Sequence, residues 1–230
     1  ARVAIWAFLA FLLLAVPLIL NDYWLSVVNM IGIALIAALG LNILTGYAGQ
    51  ISIGHGAFVG VGAYTSAMLV GKLGLPFWIT ALLAGIVTAA VGAVFGIPSV
   101  RIKGLYLAIA TLAAQFIIEW FISRPYVAGT GATQAPPPTL LGFTFNSERS
   151  YFYIIAVAVI LGVFFAENLF RTKIGRAFIA VRDQDVAAPI IGVNIFRTKL
   201  TAFAISSFYA GLAGALWAHY VKAISYENFT

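Results

Sequence analysis

Long apolar runs separated by short polar breaks extend along the whole chain. The runs cover residues 4–20, 26–44, 51–70, 76–97, 104–122, 151–170 and 200–219. Each approaches the roughly 20 residues that an α-helix needs to cross about 30 Å of hydrocarbon, so the pattern predicts seven spanning helices. The runs are continuously apolar, whereas a β-barrel wall would alternate with a polar lumen face. Turn-forming residues fill the breaks: Asn21 and Asp22, then Gly74 and Pro76, then Pro98 and Gly104. A longer polar stretch from Ser123 to Ser150 contains Pro136, Pro137 and Pro138. No composition shift marks a separate soluble domain, and residues 1–230 read as one all-α, polytopic transmembrane bundle.

Composition sharpens that reading. The 230 residues are 63% hydrophobic and 9% charged, with a mean hydropathy of +1.03, far from the globular balance of about 25% charged residues. The segment 171–199 holds Arg171, Lys173, Arg176, Arg182, Arg197 and Lys199, six of the thirteen basic residues. The positive-inside rule places this segment in the cytoplasm. Alternate crossings then put Arg2, Arg101 and Lys103 inside, and Lys72, Arg124, Arg149, Lys222 and the loop 123–150 outside. The net charge of +6 is thereby explained by orientation in a bilayer rather than by nucleic-acid binding. The first run lacks a small-residue cleavage site and reads as an anchor. Because the chain opens on Ala1 rather than Met, a missing start is expected.

The sequence offers little to catalysis. There is no cysteine, which removes disulfides, thiolate metal sites and cysteine nucleophiles. The acids Asp22, Glu119, Glu148, Glu167, Asp183, Asp185 and Glu227 form no HExxH, no DxD-like cluster and no carboxylate pair within one span. Glu119 and Glu167 fall near span ends, where interfacial placement is the simple reading; contact of Glu119 with a substrate ammonium is the alternative. Trp6, Trp24, Trp78, Trp120 and Trp217 lie near span ends, as interface anchors do.

The stretch 44–69, LTGYAGQISIGHGAFVGVGAYTSAML, carries Gly46, Gly49, Gly54, Gly56, Gly60 and Gly62. It matches neither GxxxxGK[ST] nor GxGxxG, so these glycines do not form a phosphate cradle. Gly56 and Gly60 form GxxxG, continued by Ala57, Ala63 and Ala67, a surface that lets helices pack closely in lipid. The polar set Asn42, Thr45, Tyr47, Gln50, Ser52 and His55 suggests more: a span broken or re-entrant between residues 44 and 56, with Gln50, Ser52 or His55 beside a translocation path and Asn42 and Tyr47 as further candidates for it. Ordinary bonding of a lone histidine to a neighbouring carbonyl is the competing account.

The segment 167–200 is too polar to span, yet Ile174, Phe178, Val181, Ala187, Ala188 and Ile191 have ordered apolar spacing. A short helix is expected around 185–191, capped by Asp183 or Asp185, with Pro189 awkward inside it and Gly192 as its stop. Such an amphipathic helix suits docking of a soluble partner or, alternatively, attachment to a lipid surface.

Three stretches, LNILTGYAGQISIGHGAFVGVGAYTSAML (41–69), RIKGLYLAIATLAAQFI (101–117) and GRAFIAVRDQDVAAPIIGVNIFRTKLTAFAISSFYAGLAGALWAHY (175–220), together resemble the LivM-type inner-membrane permeases of bacterial branched-chain amino acid ABC transporters. The wider family includes urea and short-amide importers. The resemblance implies the ABC importer permease fold, pairing with a second, LivH-type permease, two cytoplasmic ATPases and a periplasmic substrate-binding protein. It implies no cofactor on this chain, with ATP and magnesium held and ATP hydrolysed at the ATPases, so that the chain is a transport subunit and not an enzyme. It also implies ATPase coupling through 175–199, with Gly175, Arg176, Arg182, Asp183, Asp185, Ala187, Ala188 and Gly192 as the candidates; DVAAPIIG (185–192) matches the family's acidic-Ala-Ala…Gly pattern, Pro189 being the departure. Family members continue past the position of Thr230, so a C-terminal portion is expected to be absent. A passive channel or an ion-coupled carrier is the rival class; here the charges gather at span ends rather than at mid-depth.

Overall fold

The computed structural model describes residues 17, 19–99, 102, 104–124, 133–140 and 143–225. The expected span 4–20, apart from its last residues, lies outside them, as do Arg2, Trp6, Arg101, Lys103 and Glu227. Among the described residues six helices are long and apolar enough to cross a membrane, as expected for a polytopic bundle.

Helix α1 (Asp22–Asn42) starts with an acid in its first turn, which favours the positive helix end. It buries Leu25, Asn29, Ile33, Ile36 and Gly40, one face at helical spacing. It continues into a π-helical turn, Ile43–Tyr47. After an irregular strip come α2 (His55–Leu73), α3 (Phe77–Ser99) and α4 (Leu105–Ile122). The polar stretch forms three two-residue strands, β1 (Thr133–Gln134), β2 (Thr139–Leu140) and β3 (Phe143–Thr144). Helices α5 (Glu148–Arg171), α6 (Lys173–Asp183) and α7 (Ile195–Val221) follow, with a 3-10 turn at Ala188–Ile191 and a last strand, β4 (Ala223–Ile224). Local capping sets the starts of these helices. Ser147, Thr172 and Asn194 each accept a backbone N–H three residues ahead.

Helix α7 is the most buried span and the axis of the bundle, packing against α3, α2 and α1, while α5 packs on α1 and α4 lies at the edge against α2. Small residues allow this crowding. The α2 and α7 backbones meet at Gly62 and Gly211, and Gly214 faces the carbonyl of Val59, so a Cβ at either contact would strike main chain. Without a strong hydrophobic force between helices in lipid, such van der Waals contact supplies much of the packing energy.

Two ends are distinguished by chemistry. The turn 43–47, α6 and the start of α7 gather at the basic end. At the opposite end Glu148 accepts from Asn29 Nδ2 at 3.1 Å and from the Tyr220 hydroxyl at 2.7 Å. There His219 bridges Ser66 (3.0 Å) and the Pro136 carbonyl (2.6 Å). Strand β1 pairs with β4, and β2 with β3, both antiparallel, which ties the proline-rich stretch to the end of α7.

Sequence reading misplaced one element. The helix expected at 185–191 is a four-residue 3-10 turn, with Pro189 tolerated near its start and Gly192 stopping it at φ +83°. The amphipathic α-helix is instead α6, eleven residues long, burying Gly175, Phe178 and Val181. The N-cap of the 3-10 turn is Ala187, so neither Asp183, the last residue of α6, nor Asp185 caps it. Ile174 and Ile191, expected on the apolar face, are 45% and 72% exposed.

Candidate translocation and coupling site

The helix entering at Asp22 cannot simply turn back as the next span. At Tyr47 its regular ladder ends, and the chain leaves through Ala48, whose N–H bonds the Ile43 carbonyl at 3.1 Å, and Gln50, whose N–H bonds the Leu44 carbonyl at 3.0 Å. Gly49 makes this exit possible with φ +66°, a conformation costly for a side chain bearing a Cβ.

Residues 48–54 then climb through half the bundle without helical structure. Their contacts form a ladder. The Gln50 amide donates to the Lys199 carbonyl at 3.5 Å, one turn into α7. The Ile53 N–H donates to Thr111 Oγ1 at 3.0 Å, and Gly54 lies against the Thr111 carbonyl, about 9 Å along α4. The His55 ring meets the Ala37 carbonyl at 3.2 Å. A Cβ on Gly40 would lie 2.7 Å from the Ser206 carbonyl and 3.5 Å from His55 Nε2. Ala37 is about 15 Å before Tyr47, and Ser206 about 17 Å into α7, so α2 begins near mid-depth. The second described span is therefore unwound over the half nearer the basic end, and is tied to three neighbouring helices by the Gln50 and His55 side chains and the Ile53 N–H.

The strip sorts the sequence-singled residues by parity, as an extended chain does. Gln50, Ser52, Gly54 and His55 are buried, whereas Ile51 and Ile53 are 44% and 56% exposed and Gly56 is exposed. Gln50, Ser52 and His55 therefore point into the bundle rather than onto its outer surface. A carbonyl can only accept, so His55 Nε2 carries the proton toward Ala37. Its Nδ1, with Ser52 Oγ and Ser206 Oγ, is buried without a partner. Asn42 is exposed, and Tyr47 is half-buried, its ring stacked on Phe170 at 3.4 Å between centroids. Of the glycines, Gly62 packs against α7, Gly60 is buried, Gly46 lies beside the Asn42 side chain and Gly49 beside Arg182.

At the basic end, Arg182 Nη1 donates to the Gly46 carbonyl at 2.8 Å and its Nε to Asp183 Oδ1 at 2.8 Å. Arg176 bonds the Arg171 carbonyl at 3.4 Å. Gly175 fits against the backbone of Leu169 and Phe170, which lets α6 fold back on α5. Asp185 and Ala187 are half-buried, and Ala188, the first residue of the 3-10 turn, is buried. Above them Val186, Ile190 and Ile191 are 79%, 85% and 72% exposed, an apolar tip flanked by Arg182 and Asp183. Glu119 accepts from Gln115 Nε2 at 2.7 Å on its own helix.

Sequence reasoning did not single out Phe170, Thr111, Asn29 or Ser206. Lone polar residues in apolar runs, as Asn29 is, were the available signal; nothing local marks Phe170 as a stacking partner.

Comparison with known proteins bears on this architecture. The family described as "Branched-chain amino acid transport system / permease component" matches residues 23–230. The LivM high-affinity branched-chain amino acid transport permease of Salmonella typhimurium is 36% identical over 96% of this chain and 59% of its own length. That of Escherichia coli strain K12 is 35% identical with the same coverage. A probable LivM permease of Methanocaldococcus jannaschii is 28% identical over 65% of this chain and 44% of its own length. The chain thus spans about three-fifths of the length of its two bacterial relatives. No solved structure matches it. A multi-pass helical bundle and a family match over nearly all of its length assign this chain to the branched-chain amino acid transport permeases.

Proposed function

We propose that the chain is a membrane-spanning subunit of an ATP-driven importer of leucine, isoleucine and valine in the bacterial inner membrane. It forms the translocation path with a second, LivH-type permease, receives substrate from a periplasmic binding protein, and is driven by two cytoplasmic ATPases that hold ATP and magnesium. The observation that carries this reading is the apolar tip Val186, Ile190 and Ile191, offered to the basic side on a short turn braced by α6. Exposed clusters of large aliphatic residues outside the spans suit docking of a protein groove. The unwound inner half of the second span gives the bundle an element that can change shape without breaking a helix ladder. Branched-chain substrates follow from kinship with the LivM permeases.

Reconstitution of the chain with its second permease, ATPases and binding protein in proteoliposomes tests this. Leucine uptake that requires ATP is expected. ATP-driven uptake of urea in place of leucine would move the substrate to short amides, and flux without ATP would make the protein a channel.

A further inference from the structure

We infer that Arg182 is the positioning residue that couples the basic-end segment to the unwound strip, so that residues 43–55 carry movement of α6 into the middle of the bundle. This rests on the reading of the chain as an ATP-driven permease. The first support is the end of a helix. The main chain of α1 and its π-turn terminates at Tyr47, so its last carbonyls lie where the regular ladder ends, at the negative end of the helix dipole. Arg182 supplies a donor from a different helix, bonding the Gly46 carbonyl while the same guanidinium holds Asp183. The two bonds use separate nitrogens of a rigid planar fork, which a lysine ammonium cannot reproduce.

Contact is not confined to the guanidinium. A Cβ at Gly49 would lie 2.8 Å from Arg182 Cγ and 3.3 Å from its Cα, so the strip lies directly against the end of α6. On the other side of the turn, the Tyr47 ring is stacked face to face on Phe170, inclined by 8°, at the end of α5. The turn is therefore gripped by both helices that bracket the bend at Thr172. Beyond the turn the strip is anchored in succession to α7 at Lys199, to α4 at Thr111 and, at its far end, to α1 at Ala37. Between these grips the backbone has no helical ladder to resist a change of torsion, the property expected of a hinge element.

Docking and transmission thus fall on different side chains. Val186, Ile190 and Ile191 are presented outward, whereas the Arg182 guanidinium is turned onto Gly46. An arginine acting in transmission should set how much transport each ATP yields rather than whether the ATPases bind.

The test uses the complete complex with Arg182→Lys and Arg182→Ala, reading leucine imported per ATP hydrolysed and the ATPases retained on purification. The expected result is retained ATPases with import per ATP lowered roughly fivefold or more in both variants. Because the chain has no cysteine, spin labels at Ile53→Cys and Leu35→Cys, both exposed positions, report the strip independently of substrate. Their separation should change between nucleotide-free and vanadate-trapped complexes, and Arg182→Ala should abolish that change. Unaltered import per ATP with an unaltered label response overturns the proposal. So does an equal loss of import and ATP hydrolysis through lost ATPases, which would assign Arg182 to docking. Should the unsubstituted complex import no leucine, the substrate reading fails, while the label response still decides the linkage.

Discussion

Gly62 and Gly211 meet main chain to main chain where α2 crosses α7, and a methyl group on Gly62 would collide with the Gly211 carbonyl and Cα. The contact joins the lower-numbered glycine-rich segment to the most buried span. Gly62→Val should destabilise the protein by about 1–3 kcal/mol through overpacking. Thermal unfolding in detergent would register a lower Tm. Gly71→Ala is the control: nothing lies within 4 Å of its added Cβ, and alanine in a helix interior gains about 0.5–1 kcal/mol over glycine.

Glu148 is held by Asn29 and Tyr220, which reach it from α1 and α7. Asn29→Leu and Tyr220→Phe should each cost about 1.5–3 kcal/mol, the range for hydrogen bonds to a charged group. Because both act on one carboxylate, the double variant should lose a different amount from the sum. A double-mutant cycle on unfolding midpoints reads this directly, and strict additivity would contradict a shared site.

His219 binds the bundle at Ser66 and the outer strand region at Pro136. His219→Phe removes both hydrogen bonds and should loosen the β1–β4 pairing. The Ala135 N–H, bonded to the Lys222 carbonyl at 2.9 Å, should then exchange with solvent roughly tenfold faster, about 1.4 kcal/mol of lost protection. Exchange at Ala213, deep in α7, should stay as it was.

Ile190, 85% exposed, makes little contribution to the isolated fold. Ile190→Asp should leave unfolding within about 0.5 kcal/mol of the original protein. It should nevertheless reduce copurification of the ATPases by roughly tenfold or more if the apolar tip is the docking knob. Full retention would send the knob to the lipid surface instead.

Much of this fold was legible because membrane spans are written in composition and length. The continuous apolar runs predicted helices, and the polar set Thr45 to His55 pointed to an irregular span. What stayed hidden was which way each side chain faces. Gln50, Ser52 and His55 read as path residues because polar groups are costly in hydrocarbon; the structure turns all three into the bundle, where Gln50 and His55 meet the Lys199 and Ala37 carbonyls and Ser52 Oγ and His55 Nδ1 have no partner. The stretches 56–67 and 210–220 share a texture of small residues. Gly62 with Gly211, and Val59 with Gly214, make parts of them two sides of one contact. Pairing of that kind is long-range, as is Arg182 with Gly46, and periodicity along one segment carries no information about it.

Alternation along residues 50–54 gives the strip a nonstick exterior. Where the backbone is least regular, the surface turned outward is isoleucine methyl and methylene, and the hydrogen-bonding groups brace the interior. Were the proposed translocation path to run along that side, an aliphatic solute would meet hydrocarbon like its own, with no side-chain polar group from Ile51 or Ile53 to detain it. Passage there would be governed by the width of the opening rather than by tight capture.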